Sequence, residues 1–556
     1  MARGKGICIF MILILFLTPH NQTLNDSVRD VSETEGRQGP QTNFTQLDQN
    51  IQNLVTRWNL PGAQAAVVYN GTLVFEQSYG MADTALQIPV ENESRFRIAS
   101  LSKAITAAAI HTLVVSGDIS LRDNLTDHIS HLMPNNLRGC AYPNHANGWS
   151  IENITIRHLL NHISGLGGTT GLSTTSWHYE YHWVDNDTSW EGQNNPCIDH
   201  VSVAEEYDNG TLAPVKIETT IRETLRLPLD NQPGTTYQYS NLGYRILGEI
   251  IESASGMGYE EYVKQYVFGP MGISDTQTGK TLPLQKTANE VTYYSRTNDT
   301  WYSYFPLAGS TVEMNSFNVS FGNNTSTPDP YGGERVVEEM EASGGWISTA
   351  ASYARFISHL DGTLNHTGFN NSFNYFTNGQ LATPSTTTAA GRGIFYTINN
   401  NQSWVHSGAI SGTATRFVRN LVGGVPVTIV LLANTNIPSS ETVGGLSWAS
   451  DRNQVLGSVF TTVNFTGLEC ILGDTKQESK IGCSCIPLEE IWHCPPPEET
   501  EWPQYDPNLN TDPALNTPPE ENTTEYDDTV VPSIGLVAML SIIGLVAIIR
   551  RGRIEI

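Results

Sequence analysis

Two residue types with catalytic potential stand three positions apart near residue 100. The stretch FRIASLSKAITAAAIHTL, residues 96–113, places Ser100 and Lys103 ahead of a long apolar run. At helical spacing the two side chains lie on one face about 5–6 Å apart, and a helix N-terminus offers positive potential to a developing alkoxide. Apolar surroundings lower the pKa of a lysine amine, so that its neutral form can take the serine proton. The pair predicts a serine nucleophile and a lysine base.

A structural interpretation of the same residues makes Ser100 a helix N-cap and Lys103 a surface residue. The S-x-x-K spacing occurs about twice by chance in a chain this long, so it carries little weight alone. A surface lysine, however, gains nothing from the apolar run that follows it. The catalytic interpretation is therefore favoured, with Ser102 as an ordinary helix residue.

A second polar group lies in PGTTYQYSNLGYRILG, residues 233–248, as Tyr239, Ser240 and Asn241. A tyrosine beside a cation can transfer protons, and an asparagine can hold an amide substrate. The structural alternative is a turn that leads into a helix capped by Ser240 and Asn241. Both interpretations can hold together, because a capped helix fixes the loop before it.

The third group is VHSGAISG, residues 405–412, with His406 and Gly408 in what is predicted to be an edge strand. A glycine there lets a substrate backbone lie close to the strand. The N–H groups of Ala409 and Ser100 would then form an oxyanion hole. A lone histidine is usually structural, but Gly408 and Gly412 indicate an approachable backbone.

The elements that position these groups are predicted from periodicity and turn signals. A helix near residues 47–58 has one apolar face, which comprises Leu47, Ile51, Leu54, Val55 and Trp58. Asn70-Gly71 joins two β-rich runs as a hairpin, and the helix after Ser100 is expected to reach Ser116 and end at Gly117. These signals predict a hairpin followed by a buried helix.

The middle of the chain, residues 118–340, reads mainly as helix and loop, with an aperiodic insert at 167–214. Short strands return after residue 390, with Gly423-Gly424 as one turn, and a closing helix is predicted over residues 441–463. The expected fold class is α+β: an antiparallel sheet, whose first and last strands pair, flanked by helices and joined to a mainly helical subdomain.

The three motifs, in this order, resemble those of the penicillin-binding and β-lactamase-related serine hydrolases. The resemblance is especially to the branch with S-x-x-K, Y-x-N and H-x-G, which includes class C β-lactamases, D-stereospecific peptidases and esterases. FRIASLSK, ITIRHLLNHISGL, PGTTYQYSNLGYRILG and ASGGWISTAASYARF read like the family in order, over about residues 47–465. The resemblance implies a β-lactamase/transpeptidase-like fold.

It also implies roles for the matching residues. Ser100 resembles the acylating nucleophile, Lys103 its proton acceptor, Tyr239 the partner acid or base, and Asn241 a contact to the substrate amide. His406 stands where penicillin-recognising members have a lysine. A neutral histidine supplies much less positive charge at pH 7, so ester or amide hydrolysis on a less anionic substrate gains weight over β-lactams or D-Ala-D-Ala peptides.

Both ends of the chain read as membrane-directing segments. Arg3 and Lys5 precede an eleven-residue apolar run, the layout of a secretory signal, with an uncleaved anchor as the alternative. Eighteen uncharged residues, 532–549, span about 27 Å and are followed by arginines, which stay on the cytoplasmic side. The predicted organisation is a signal peptide at 1–20, a polar leader at 21–45, the hydrolase domain at 46–466, a cysteine-containing then acidic, Pro-rich stalk at 467–531, a transmembrane helix at 532–549 and a basic tail at 550–556.

Composition supports an exported, single-pass cell-membrane protein with an extracellular catalytic domain. The 556 residues carry a formal charge of −26, which argues against a nucleic-acid partner. Eighteen N-x-Ser/Thr sequons indicate glycosylation, and six cysteines beyond Cys8 indicate disulfides. Zinc binding by the late Cys and His residues is a minor alternative, because their spacing is not that of a standard finger.

The sequence therefore predicts a membrane-anchored serine hydrolase that forms an acyl-enzyme on an ester, an amide or a D-amino-acid peptide bond. Its partners are a small-molecule or peptide substrate and the membrane, it needs no metal or organic cofactor, and its oligomeric state is left open. The alternative is a catalytically retired homologue that binds or senses peptides or cell-wall fragments, since function depends on sites rather than folds.

Overall fold

The computed structural model describes most of the chain between residues 44 and 465. The described residues are 44–133, 149–166, 217–225, 229, 231–281, 283–295, 303–307, 310–314, 319–321, 325–327, 329–331, 337–364, 369, 372–381, 388–398, 402–438 and 440–465. The predicted signal peptide, nearly all of the leader, the 167–214 insert, the stalk, the transmembrane helix, the tail and all seven cysteines lie outside these residues. The proposals about export, glycosylation and disulfides therefore stay predictions.

The described residues form an α+β fold, as predicted. The helices are α1 Thr45–Arg57, α2 Ser102–Ser116, α3 Leu125–His128, α4 Ile156–Leu160, α5 Ile217–Thr224, α6 Asn241–Ser255, α7 Tyr259–Val263, α8 Gly269–Met271, α9 Ala350–Leu360, α10 Ser372–Thr377 and α11 Trp448–Thr462. The strands are β1 Gly62–Tyr69, β2 Thr72–Asp83, β3 Ile88–Pro89, β4 Phe96–Arg97, β5 Gln277–Thr278, β6 Ser303–Leu307, β7 Ser310–Met314, β8 Val319–Phe321, β9 Thr325–Thr327, β10 Trp346–Ser348, β11 Gln380–Leu381, β12 Thr388–Ala390, β13 Phe395–Thr397, β14 Trp404–Ile410, β15 Thr413–Val422, β16 Val425–Ala433, β17 Thr442–Val443 and β18 Leu446–Ser447.

Nine strands make one antiparallel sheet in the order β11-β12-β13-β14-β15-β16-β1-β2-β3. The prediction that the first and last strands pair is confirmed, because β1 lies between β2 and β16. Its register with β16 runs from Ala63 opposite Ala433 to Tyr69 opposite Val427. The chain thus closes the sheet with residues more than 350 positions apart, which brings the late β14 beside the early α2.

Tight turns confirm the predicted hairpins. Asn70 and Gly71 adopt φ values of 49° and 78° between β1 and β2, and Gly423 and Gly424 adopt 60° and 87° between β15 and β16. Positive φ at both central residues is the turn geometry that matches the twist of the paired strands. These turns therefore set the register of the central strands.

The sheet is covered on both faces. β1 is buried along its whole length, because alternate residues enter two different cores. Ala66 and Val68 face the larger core, which contains α2, α6 and α9. Ala65 and Val67 face a second core formed with α1 and α11. At the edge of this second core the rings of Phe44 and Phe465 meet at 6.2 Å, so the two ends of the described region lie together.

Helix α2 is the central helix of the larger core. It ends as predicted, with Gly117 in the left-handed conformation at φ 82°. Among the described residues, Ala99–Ser116 is the single helical segment long and apolar enough to cross a membrane, and 72 % of it is buried inside the fold. Its apolar character is therefore explained by its place in the protein core.

Two local predictions need correction. The closing helix begins at Trp448 and not at residue 441, because the Gly444-Gly445 turn folds the preceding residues into the β17-β18 hairpin and Ser447 caps the helix. β14 is not an edge strand along its whole length. It pairs with β13 through Trp404 and Val405, so its first half lies inside the sheet.

Candidate active site

Ser100 lies in a 3-10 turn, Ala99–Leu101, directly before α2 begins at Ser102. Ala99 has a φ of 49°, an unfavourable conformation for a residue with a Cβ. Such strain persists only where the surrounding structure holds it, and it concentrates at functional sites. Ser100 is half-buried and is not the helix N-cap, which is Leu101. The turn thus presents the serine hydroxyl at the start of a rigid, buried helix.

Lys103 is fully buried, so the interpretation as a surface residue is wrong. Its Nζ lies 3.3 Å from the Ser100 Oγ. Nζ also donates to Asn241 Oδ1 and to the carbonyl oxygen of Ser343, both at 2.6 Å. The lysine is therefore fixed from three directions, and one of them is the predicted nucleophile.

Tyr239 lies over the same amine. The Lys103 Nζ is 4.9 Å from the centre of the Tyr239 ring, a cation–π distance. The ring also stacks on His162, with centres 4.5 Å apart and an interplanar angle of 27°. The structure thus brings Ser100, Lys103 and Tyr239 together, although Ser100 and Tyr239 are 139 positions apart in the chain.

Asn241 is the first residue of α6, and Ser240 is its N-cap, with Oγ accepting the N–H of Gly243 at 3.0 Å. The capping interpretation of this motif is therefore confirmed for Ser240, and the catalytic interpretation stays a prediction. The prediction for Asn241 changes in one respect, because its Oδ1 accepts a hydrogen bond from the Lys103 amine. The side chain therefore positions the amine.

His406 is 4 % exposed, and burial together with the Lys103 charge lowers its pKa to about 3. Its ring lies 6.3 Å from the Tyr239 ring, and Nδ1 donates to the carbonyl oxygen of Ser407 at 2.8 Å. The histidine is neutral at pH 7, as the sequence predicted. It cannot replace the fixed charge of a lysine in this motif.

Gly408 was predicted to let a substrate backbone approach the strand, but the structure shows a different neighbour there. A Cβ at this position would lie 2.4 Å from the carbonyl oxygen of Ile98 and 3.0 Å from the Cβ of Ala99. The glycine therefore makes room for the chain's own backbone, which carries Ser100, and not for a substrate. Ala409, the next residue, has an exposed side chain. The close packing at Gly408 places Ala409 next to the nucleophile turn.

The sequence did not identify Ser343 as a site residue. Its contact with Lys103 is made by the backbone carbonyl oxygen, so the residue type at this position gives no signal of it. It sits in a turn in which the N–H groups of Gly344 and Gly345 both donate to the carbonyl oxygen of Met340. The available signal was the family-like stretch ASGGWISTAASYARF, which begins one residue before Ser343.

A pair of arginines lies behind the third motif, on the other face of the sheet. Arg416 Nη1 donates to Ser407 Oγ at 2.7 Å, and Arg452 Nη2 approaches the same oxygen at 3.4 Å. Within the described part of the chain neither guanidinium forms an ion pair with a carboxylate. Burial, followed by the Arg416 charge, lowers the pKa of Arg452 to about 9, so this guanidinium remains charged at pH 7. Arg452 lies on α11, and Arg416 pairs with Ser407 in the sheet, so both side chains lie on the sheet face opposite His406.

Comparison with known proteins gives consistent matches. The Beta-lactamase family model matches residues 47–449. Esterase EstB of Burkholderia gladioli is 28 % identical over 229 residues, which cover 41 % of this chain and 50 % of EstB. Protein flp of Staphylococcus aureus (strain N315) is 24 % identical over 236 residues, 42 % of this chain and 38 % of flp. The chain thus spans half or less of the length of these curated relatives.

One solved structure extends the comparison to the fold. The structure titled "A class C beta-lactamase" has a TM-score of 0.50 and 16 % identity, and it covers 76 % of this chain and 97 % of that one. At this identity the match supports the fold and carries no information about substrate.

Proposed function

The chain belongs to the Beta-lactamase family, and from that premise we propose that it is a serine hydrolase that works through an acyl-enzyme. The observation that carries the proposal is the placement of the Lys103 Nζ 3.3 Å from the Ser100 Oγ inside a buried site.

The hydrogen bonds of Lys103 account for its use as a base. A neutral amine has two N–H groups and one lone pair. The carbonyl oxygen of Ser343 and the Oδ1 of Asn241 accept at 2.6 Å and can take both N–H groups. The lone pair is then left to face the Ser100 hydroxyl, which is the geometry that proton transfer needs.

In the proposed reaction the Ser100 oxygen attacks a carbonyl carbon while its proton passes to Lys103. The resulting oxyanion is held by the N–H groups of Ser100 and Ala409. As the bond to the leaving group breaks, the proton returns from Lys103 through Tyr239 to the departing oxygen or nitrogen. Water then attacks the acyl carbon and gives a proton to the same pair, which passes it to the Ser100 oxygen as the acyl–oxygen bond breaks and the carboxylic acid leaves. Asn241 and His406 line the substrate side.

We propose a carboxylic ester or amide as the substrate class, because His406 is neutral. A chromogenic nitrophenyl ester tests this with the full chain and its Ser100→Ala variant. The matched control is Ser102→Ala, two residues away at the start of α2, where the hydroxyl accepts the N–H of Trp346 at 3.3 Å. Activity and a covalent adduct on Ser100 should disappear in Ser100→Ala and persist in Ser102→Ala.

The retired-homologue alternative makes the opposite prediction. If wild type and Ser100→Ala hydrolyse no ester, D-peptide or chromogenic cephalosporin, and no acyl adduct forms on Ser100, the chain binds ligands without turnover. All three motifs are assembled in the fold, which favours catalysis over this alternative.

We further propose that the domain is exported and held at the cell membrane by the segment at 532–549. The support is the uncharged stretch followed directly by Arg550, Arg551 and Arg553. External protease should release the active domain from intact cells, whereas a cytoplasmic domain would be protected.

A further inference from the structure

We propose that His162 is a positioning residue that fixes Tyr239 for proton transfer, an inference that rests on the proposed hydrolase function. His162 lies in the turn after α4, in the stretch LLNHISGL, and neither the three motifs nor the charge pattern singled it out. It contacts the Tyr239 loop in three separate ways.

Each contact addresses a different part of that loop. The carbonyl oxygen of His162 accepts the N–H of Gln238 at 2.7 Å, and its ring Nδ1 accepts the N–H of Ser240 at 3.0 Å. Between these two bonds the ring stacks on Tyr239 itself at 4.5 Å. One residue thus holds the amide before the tyrosine, the amide after it and the face of its ring.

The same turn continues the clamp. The carbonyl oxygen of Ile163 accepts the N–H of Gly234 at 2.7 Å, so the start of the loop is held as well. Ser240, which is bonded to the His162 ring, also caps α6 and therefore fixes where Asn241 begins that helix. A displacement of His162 would consequently move Tyr239 and Asn241 relative to Lys103.

The backbone of His162 indicates that this geometry is imposed. Its φ is 56°, a conformation that costs a residue with a side chain on the order of 1 kcal/mol or more. That cost is offset only if the surrounding contacts hold the turn in place. Asparagine tolerates this region better than most residues, and glycine tolerates it best.

The ring acts without transferring a proton. Burial and the Lys103 charge hold the pKa of His162 well below its usual range. Since the N–H of Ser240 donates to Nδ1, this nitrogen carries no proton. In a charged ring the Nδ1–H would point at the N–H of Ser240, and the two donors would repel each other. His162 therefore stays neutral and serves as an acceptor and a stacking surface.

The test uses the full chain with two substitutions and one control. His162→Asn places Oδ1 where Nδ1 stands and accepts the positive φ, so kcat should stay within about tenfold of wild type. His162→Gly keeps the backbone but removes acceptor and ring, so kcat should fall about 100-fold with little change in KM. Free imidazole should restore at least part of this loss.

His111→Asn is the matched control. His111 is also buried, has a pKa lowered by burial to about 3, and stacks on Phe369 away from Tyr239. This variant measures what the loss of any buried neutral histidine does to folding. It should lower stability without changing the pH profile of kcat, whereas His162→Gly should shift that profile because the Tyr239 phenol leaves its place beside Lys103.

Two outcomes separate this inference from the proposed function. If wild type is active but His162→Gly keeps the wild-type pH profile and imidazole has no effect, His162 is not a positioning residue. If no substrate is turned over at all, amide hydrogen exchange of residues 234–244 still decides the matter. Exchange there should be slow in wild type and fast in His162→Gly, and equal rates would overturn the clamp.

Discussion

The two faces of the nine-stranded sheet use burial for opposite purposes. On the face covered by α2, burial encloses Lys103, His162 and His406, whose polar atoms are held by specific hydrogen bonds. On the face covered by α1 and α11, which we term the terminal-helix face, burial joins apolar side chains. Burial of polar side chains costs free energy but keeps groups that can take part in a reaction. Burial of apolar side chains stabilises the fold. Activity and stability are therefore expected to separate by face.

The terminal-helix face is held together mainly by apolar packing. Leu47, Ile51 and Leu54 of α1 are fully buried against the sheet, and Trp58 meets Trp448 edge to face at 5.6 Å. Asp451 accepts there from Arg57 and Trp58, and the Arg416 and Arg452 guanidiniums lie on the same face. Among the described residues, none on this face forms a hydrogen bond with the Ser100 hydroxyl.

The largest effect is expected at Lys103. Lys103→Met retains the volume and removes the base, so kcat/KM should fall by at least about 1000-fold. The free energy of unfolding should change by less than about 2 kcal/mol, because removal of a polar amine from a fully buried position offsets the two oxygen acceptors left without this donor. Ester kinetics and urea denaturation check the two halves. Residual activity within tenfold of wild type would remove Lys103 as the base.

Truncation of a core side chain on the terminal-helix face should lower the stability of the fold and leave the activity unchanged. Leu54→Ala removes a fully buried side chain and should lower the free energy of unfolding by about 3 kcal/mol. Kinetics of the folded protein should stay unchanged, because α1 lies on the far side of the sheet. The exposed neighbour Asn53→Ala is the control and should be nearly neutral. A large fall in kcat for Leu54→Ala would show that the two faces are coupled.

Acidic residues near α6 make stability on the α2 side depend on pH. Burial, with Glu252 next, raises the pKa of Glu249 to about 8 from 4.5. A raised pKa means that the folded state binds the proton more tightly, so this contribution is full below about pH 4.5 and is lost as pH rises toward 8. Glu249→Gln should therefore stabilise the protein by about 1–2 kcal/mol at pH 9 and have no such effect at pH 4.

Thermal unfolding at the two pH values measures this difference. Glu261→Gln is the matched control, since Glu261 belongs to the same acidic region and is exposed. A gain of equal size in both variants would mean that overall charge, and not burial of Glu249, sets the pH dependence.

The smallest effects are expected from glycine-to-alanine substitutions, one on each face of the sheet. A Cβ at Gly457 in α11 would meet no atom within 4 Å, so Gly457→Ala should raise the free energy of unfolding by about 0.5–1 kcal/mol. A Cβ at Gly117, which ends α2, would also meet no atom within 4 Å, but this residue has a φ of 82°. Gly117→Ala should therefore lower the free energy of unfolding by about 1 kcal/mol. Chemical denaturation should give opposite signs, and equal signs would contradict the conformational argument.

The sequence predicted those parts of the fold that depend on local patterns. The amphipathic spacing of α1, the Asn70-Gly71 turn and the Gly117 stop each act within a few residues, and all three are confirmed. The late helix was placed seven residues too early because its apolar pattern gave no weight to the Gly444-Gly445 turn.

The candidate site was predictable only as far as side-chain types reveal it. Ser100, Lys103 and Tyr239 were found through their motifs, and the structure assembles them. The carbonyl of Ser343 and the ring of His162 act through backbone and packing contacts formed after long loops close, so spacing alone gives no signal for them. The role of Gly408 was misread because the atom that approaches it belongs to Ile98, 310 positions away in the chain.

The meeting of Phe44 and Phe465 has a mechanical consequence. Both ends of the described region leave from the terminal-helix face, where Phe465 also stacks on Tyr69 at 4.8 Å. Tension applied to either end would load α1 and α11 before it reached the sheet, and it would pull both ends from the same place. The nucleophile, on the opposite side of the sheet, is shielded from such a load, and the ends could be joined by a short linker without crossing the catalytic cleft.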